Sequence, residues 1–125
     1  MPFVCPDCSR HGSLNIVLSI ELPPDSRSDE ITLQIVECSG CGFQGIAVYE
    51  ESRRGALDSE SFSHTGYHLS KSELKDLRKS IRSCRDRKNW RCRCPAHRML
   101  SRTDAGGRWI ALRDLETTDA FPIKI

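Results

Sequence analysis

The chain lacks the features that mark membrane and secreted proteins. None of its apolar runs approaches the roughly 20 residues that a membrane-spanning helix needs, and Met1-Pro2-Phe3-Val4 leads into Cys5 without a signal-peptide pattern. Aromatic residues make up only 6% of the 125 residues, so the chain can bury a modest core and would gain from a metal or covalent staple. We therefore expect a soluble, cytoplasmic protein with reduced cysteines.

Catalytic motifs are lacking as well. The sequence contains no glycine-rich phosphate loop, no G-x-S-x-G, no H-E-x-x-H and no H-x-E followed by P-C-x-x-C. No small-molecule substrate is evident, and we expect a protein that is not an enzyme. A minor alternative is a zinc enzyme with water in an open second metal site, where Glu60, Glu73 or Asp86 would supply the base.

Cysteine, in contrast, is abundant. The count of seven is odd and does not suit a closed disulfide framework. Four of the cysteines form two C-x-x-C pairs that are 29 residues apart. The two sulfurs of each turn can reach one ion at about 2.3 Å, and two such turns complete a tetrahedron. The pairs predict a closed structural zinc site with these ligands: Cys5, Cys8, Cys38 and Cys41.

A second zinc site is predicted further along the chain. Its favoured ligands are the three remaining cysteines and one histidine: Cys84, Cys92, Cys94 and His97. Seven cysteines and one histidine give eight ligands, which is enough for two four-coordinate Zn²⁺ ions per chain. Two alternatives stay open. Either Cys84 is an ordinary buried thiol and His64 or His68 replaces it, or there is no second metal ion.

Alternating apolar residues predict strands around the first site. The predicted strands cover residues 13–22, 30–37 and 43–51. The apolar residues of the first strand, expected to share one face, are Leu14, Ile16, Leu18, Ile20 and Leu22. The order of cysteine turn, strand, loop, strand, cysteine turn and strand is typical of a small antiparallel sheet that zinc clamps at one end.

This part of the chain resembles the zinc-ribbon superfamily. The resemblance lies in Cys5-Pro6-Asp7-Cys8 and Cys38-Ser39-Gly40-Cys41-Gly42 and covers roughly residues 3–51. It implies a fold and a metal site but no activity, since zinc ribbons serve in transcription, translation, nucleic-acid enzymes and protein adaptors.

The rest of the chain predicts a helix and further strands. Residues 52–68 show no clean period and are expected to form a surface loop. Ser70 and Glu73 form a capping box that starts a helix ending near Arg85. Its expected buried stripe is Leu74, Leu77, Ile81 and Cys84. A strand is expected over 108–115 and a short edge strand over 121–125.

The fold class that follows is α+β, with two segments packed as one unit. The first segment, 1–51, would be the zinc ribbon. The second, 52–125, would hold the amphipathic helix, the Cys₃His metal loop and a C-terminal hairpin or strand.

Charge is distributed unevenly. Residues 71–102 hold 12 Lys and Arg against three Asp and Glu, a net charge of +9, and the remainder carries −7. A basic third suggests an anionic partner. The residues predicted to bind nucleic-acid backbone are Lys75, Arg78, Arg82, Arg85, Arg87, Lys88, Arg91 and Arg93. Trp90 lies among them and would either stack on a base or pack beneath the metal loop.

The alternative function is that of a protein-interaction adaptor or a small subunit of a larger assembly. In that case the acidic remainder and the exposed sheet edges would contact another chain, possibly a second copy of this one. The sequence leaves the oligomeric state open.

Overall fold

A computed structural model describes residues 2–52 and 61–125. Within these ranges the chain forms an α+β fold, with an open antiparallel sheet of five strands and three short helices. In chain order the elements are β1 (Leu14–Leu22), β2 (Glu30–Cys38), β3 (Gln44–Ser52), β4 (Ser61–His68), α1 (Lys71–Ser83), α2 (Pro95–Leu100), α3 (Ala111–Asp114) and β5 (Thr118–Pro122). Each strand lies beside the next one in the chain, so β1 and β5 are the edges.

A β-bulge divides β1 between the two faces of the sheet. Val17 has no partner on β2, since Ile16 pairs with Val36 and Leu18 pairs with Ile35. One extra residue reverses the alternation, so the even-numbered residues before the bulge face one side and the even-numbered residues after it face the other. The expectation that five apolar residues of β1 share one face is therefore wrong.

The larger core lies on the face that the helices cover, which we call the helix face. There α1 buries Leu74, Leu77 and Ile81, as its period predicted. These side chains pack against apolar residues of the first three strands: Ile20, Leu22, Ile31, Leu33, Ile35, Ile46 and Val48. Ser70 caps α1 by accepting a hydrogen bond from the Glu73 amide at 3.3 Å, which satisfies one of the free amides at the helix start.

The other side of the sheet, which we call the opposite face, carries a smaller cluster. It brings Phe3 and Cys5, from the N-terminal segment, against the sheet. The sheet contributes Leu14, Val36, Cys38, Ala47 and Phe121. The first cysteine cluster therefore lies at one end of the opposite face.

The expected loop over residues 52–68 is wrong for its second half. Residues 61–68 form β4, which pairs with β3 on one side and with β5 on the other. Its serines and threonine have no apolar period, so the pairing partners rather than the local sequence define this strand. Residues 53–60 lie outside the described residues.

The C-terminal expectations also need correction. No strand covers residues 108–115, because Trp109 makes only an isolated bridge to Thr103 and α3 begins at Ala111. The buried Trp109 is held instead by its indole N–H, which donates to the Leu100 carbonyl at 2.6 Å. The edge strand predicted for 121–125 exists as β5, but it begins at Thr118 and ends at Pro122.

The sheet draws strands from both predicted segments, β1 to β3 from residues 1–51 and β4 and β5 from residues 52–125. The division itself stays a prediction. Of the helices within residues 2–52 and 61–125, none combines the length and the apolar character needed to cross a membrane.

Two candidate metal centres and a basic groove

The first centre gathers four sulfur atoms. Cys5 Sγ lies 3.6 Å from Cys41 Sγ, and Cys8 Sγ lies 3.7 Å from Cys38 Sγ. Four thiolates around one zinc ion at 2.3 Å would be about 3.8 Å apart, whereas a disulfide needs about 2.05 Å. All four sulfurs lie within 4.8 Å of one another. The geometry is that of a metal site and not of disulfides.

Backbone amides point at these sulfurs. The amides of Gly40 and Cys41 donate to Cys38 Sγ at 3.3 and 3.4 Å, and the Asp7 amide donates to Cys5 Sγ at 3.4 Å. The second turn begins where β2 ends, at Cys38, and Gly42 closes it with a positive φ of 80°. The sheet thus fixes the position of one half of the centre.

The environment lowers the pKa of one cysteine in the first centre and raises the pKa of another. The Ser13 hydroxyl lies 3.2 Å from Cys38 Sγ, and together with the amides of the turn it lowers the pKa of Cys38 to about 5. Burial instead raises the pKa of Cys5. Because adjacent thiolates repel one another, all four can ionise together only around a cation. The donor set is compatible with zinc.

The second centre is built in the same way from three thiols and one imidazole. Cys84 Sγ lies 3.8 Å from Cys92 Sγ, and His97 Nδ1 lies 3.3 Å from Cys84 Sγ and 3.2 Å from Cys94 Sγ. Around a tetrahedral zinc ion a nitrogen and a sulfur would be about 3.6 Å apart. These four residues also lie within 4.8 Å of one another.

The sheet orients His97. Its Nε2 lies 2.9 Å from the backbone carbonyl of Glu21 on β1. A carbonyl oxygen can only accept, so Nε2 carries a hydrogen, and Nδ1 is the ring nitrogen that faces the sulfurs. Metal-bound histidines are held by this kind of hydrogen bond. The ring is 1% exposed, so water does not compete for either nitrogen.

Two of the other three ligands come from the ends of helices. Cys84 follows the last residue of α1, and Cys94 caps α2 by accepting a hydrogen bond from the His97 amide. Burial raises the pKa of Cys84 to about 11. Burial also acts on Cys94, but the amide and the ring of His97 outweigh it and lower the pKa of Cys94 to about 6. A cation is again what would allow the set to ionise together.

The two alternative histidines lie elsewhere. His64, on β4, is 2.6 Å from Gln34 Oε1 through its Nε2 and packs its ring against Phe3. His68 packs edge-on against two phenylalanines, Phe43 and Phe121. The structure therefore brings His97 to the three cysteines.

Neither of the two candidate bases that the structure describes, Glu73 and Asp86, joins the second group of ligands. Glu73 accepts a hydrogen bond from the Ser70 hydroxyl in the first turn of α1. Asp86 Oδ2 accepts one from the side-chain amide of Asn89 at 2.9 Å. Glu60 lies outside the described residues.

The eight residues predicted to bind phosphate differ in how far their side chains are exposed to solvent. Arg78 is half-buried and forms an ion pair with Glu37. Arg87 is also half-buried, with its guanidinium near the Cys84 carbonyl at 3.4 Å. The remaining six are exposed: Lys75, Arg82, Arg85, Lys88, Arg91 and Arg93. We call these six residues and Arg98 the basic surface.

A groove of about 420 Å³ opens beside the second centre. Three arginines of the basic surface line it, Arg91, Arg93 and Arg98, with Pro23 and Trp90 among the other residues. None of the described residues that line the groove is Asp or Glu. The nucleic-acid-binding residues predicted from the sequence do not include Arg98. Its position directly after the predicted ligand His97 was the signal that could have indicated it.

Both groups of ligands can hold a metal ion, while the zinc-ribbon assignment stays a resemblance. No family model, no curated protein and no solved structure matches this chain.

Proposed function

We propose that the protein is a non-catalytic module with two structural zinc ions, which binds nucleic-acid backbone through the basic surface. The observation that carries this proposal is the concentration of exposed Lys and Arg around the second centre, where no acidic residue of the described chain lines the adjoining groove. Phosphate is the anion that nucleic acids repeat at regular spacing, and rows of Lys and Arg are its usual protein partner.

The structural role of the metal follows from the donor sets. Four thiolates in one centre, and three thiolates and an imidazole in the other, fill all four positions of tetrahedral zinc. A filled site leaves no position for water or substrate, which supports a role in folding rather than in catalysis.

The second centre gives the cations a fixed frame. Arg91 and Arg93 flank Cys92, and Arg98 lies on α2 directly after His97. The loop is also tied to the edge of the sheet, since the Glu21 amide donates to the Arg87 carbonyl at 2.8 Å. Cations held on a fixed backbone lose less conformational freedom on binding than cations on a flexible tail.

Binding through phosphates can be tested by its salt dependence. We expect the affinity of the zinc-loaded protein for duplex DNA to fall linearly on a log–log plot against salt, with a slope of about −0.9 per phosphate contact. The double variant Arg82→Glu, Arg91→Glu should abolish binding at moderate salt. The matched control, Arg113→Glu with Lys124→Glu, changes the net charge equally at exposed residues outside the 71–102 region and should bind like the parent.

A salt-independent interaction, or equal losses in the two double variants, would show that the basic surface is not a phosphate-binding site. That result would favour the adaptor function instead. It is favoured by exposed apolar side chains on the sheet, where Phe62 is 74% exposed and Val17, at the β1 bulge, is 46% exposed.

A further inference from the structure

We propose that the groove beside the second centre binds single-stranded nucleic acid, with one unpaired base against Trp90 and neighbouring phosphates at Arg93 and Arg98. This inference rests on the proposed function and narrows it. It names the form of nucleic acid and assigns one aromatic residue that backbone binding alone does not use.

The exposure of Trp90 would allow its ring to stack on a base. It is 40% exposed, whereas the only other tryptophan in the sequence, Trp109, is buried under α2 with its N–H bonded to Leu100. The Arg91 guanidinium lies over the Trp90 ring, 5.0 Å from its centroid. A flat cation and an aromatic ring that line one groove form a platform on which a base can stack.

Trp90 lines two cavities that differ in charge. The groove has Arg91, Arg93 and Arg98 among its lining residues, and none of the described residues that line it is acidic. The second cavity, about 380 Å³ in volume, has three acidic lining residues: Glu21, Asp29 and Glu30. A strand of phosphates is therefore favoured in the groove over the second cavity.

The size and shape of the groove suit one unpaired nucleotide. Its volume of about 420 Å³ is near the lower end of the range for small-ligand sites. A duplex would reach the arginines with its phosphates, but its bases are already stacked on one another and would leave Trp90 without a partner. A single strand can satisfy both parts of the site.

The test compares three probes of equal length: oligo(dT), an abasic deoxyribose-phosphate strand and a duplex. Affinities are measured by fluorescence anisotropy at one salt concentration with zinc-loaded protein. We expect oligo(dT) to bind about 5- to 150-fold more tightly than the abasic strand, which is the range for one stacked base. Trp90→Ala should remove that preference, because its affinity for oligo(dT) should fall much more than its affinity for the abasic strand.

Two variants make the assignment specific. Phe62→Ala removes another exposed aromatic side chain, which lies on β4 away from the groove, and should keep the preference for oligo(dT). Trp90→Phe keeps an aromatic face and should retain most of that preference. We expect oligo(dT) to quench tryptophan fluorescence in the parent, and Trp90→Phe should lose this quenching, since only the buried Trp109 remains to report.

The outcomes separate the inference from the function on which it rests. Equal affinities for oligo(dT) and the abasic strand, or a Trp90→Ala variant that keeps the preference, would overturn the inference while phosphate binding stands. No affinity for any of the three probes would overturn both. Tighter binding of a poly-glutamate peptide than of oligo(dT) would also overturn both, because it would identify an acidic protein as the partner.

Discussion

At the scale of single residues, Asp25 joins the loop between β1 and β2 to the segment before α3. Its Oδ1 accepts hydrogen bonds from the amides of Arg27 and Ser28, at 2.8 and 2.6 Å. Its Oδ2 accepts from the Trp109 amide at 2.8 Å and from the Arg108 guanidinium at 3.3 Å. Burial acts to raise the pKa of Asp25, but these donors outweigh it and the pKa is lowered.

Replacing Asp25 by Asn should lower the free energy of unfolding by about 2–3 kcal/mol at neutral pH, since an NH₂ group would then face donors in a buried site. Asp104→Asn is the matched control, because Asp104 accepts its two amide hydrogen bonds at Oδ1 alone, from Gly106 and Arg108. An amide oxygen can take over both of these bonds. Urea unfolding at neutral pH measures the difference between the two variants.

The lowered pKa of Asp25 also determines whether the free energy of unfolding rises or falls with pH. The stability from Asp25 is fully present above the pKa of the unfolded state, about 3.9. It is lost as the pH falls through the lower pKa of the folded state. Acid also releases metal from thiolates, so the useful comparison is between the two variants. Asp25→Asn should lose less stability than Asp104→Asn between neutral pH and about pH 3, and an equal loss would contradict the lowered pKa.

At the scale of elements, the pairing of β4 with β5 depends on a residue without a side chain. Gly66 pairs with Phe121, and a Cβ on Gly66 would collide with the Phe121 ring. Gly66→Ala should therefore lower the free energy of unfolding by about 1–3 kcal/mol and speed the hydrogen exchange of the amides of β5. Urea unfolding and amide exchange measure the two effects.

Gly106→Ala serves as the control for this prediction. A Cβ there would meet only Asp104 Oδ1, at an ordinary 3.4 Å, so stability should be unchanged or slightly higher. The double variant Gly66→Ala, Phe121→Leu should exchange its β5 amides more slowly than Gly66→Ala alone, because the ring that collides is gone. A Gly66→Ala protein as stable as the parent would show that β5 does not need the contact.

Elements with local signals were predictable, and elements defined by distant partners were not. The capping box at Ser70 and the 3.6-residue period were enough for α1, because both act within one helix. β4 was missed because its residues between Ser61 and Thr65 are mostly polar and partly exposed. The bulge at Val17 was missed because alternation alone cannot show that one residue lacks a partner on the next strand.

For the molecule as a whole, the metal ligands were predictable from local sequence signals, whereas the groove beside them was not. Spacing and ligand count predicted the eight residues of the two centres, since a C-x-x-C turn carries its own geometry. The groove was not predictable, because Pro23 and Trp90 line one groove through the packing of the second centre on β1, where His97 contacts Glu21. The ion pair of Arg78 with Glu37 likewise depends on the way α1 packs.

The two centres should therefore contribute differently to binding. The first cysteine cluster lies at one end of the opposite face, and the second adjoins the groove and the basic surface. Elemental analysis of the parent protein should find about two zinc ions per chain. Cys92→Ser and Cys41→Ser each remove one thiolate, from the second and the first centre respectively, and each variant should retain about one zinc ion.

Only Cys92→Ser should lose its affinity for oligo(dT), because the arginines beside residue 92 and the ring of Trp90 would no longer be held by a metal-bound loop. Cys41→Ser should bind oligo(dT) under conditions where circular dichroism shows that it is folded, since its second centre is intact. If Cys92→Ser lost its zinc ion and still bound like the parent, the groove would not depend on the metal. If carefully reduced parent protein contained no metal, both zinc sites would be wrong, and the cysteines would need another explanation for sulfur separations of 3.6–3.8 Å.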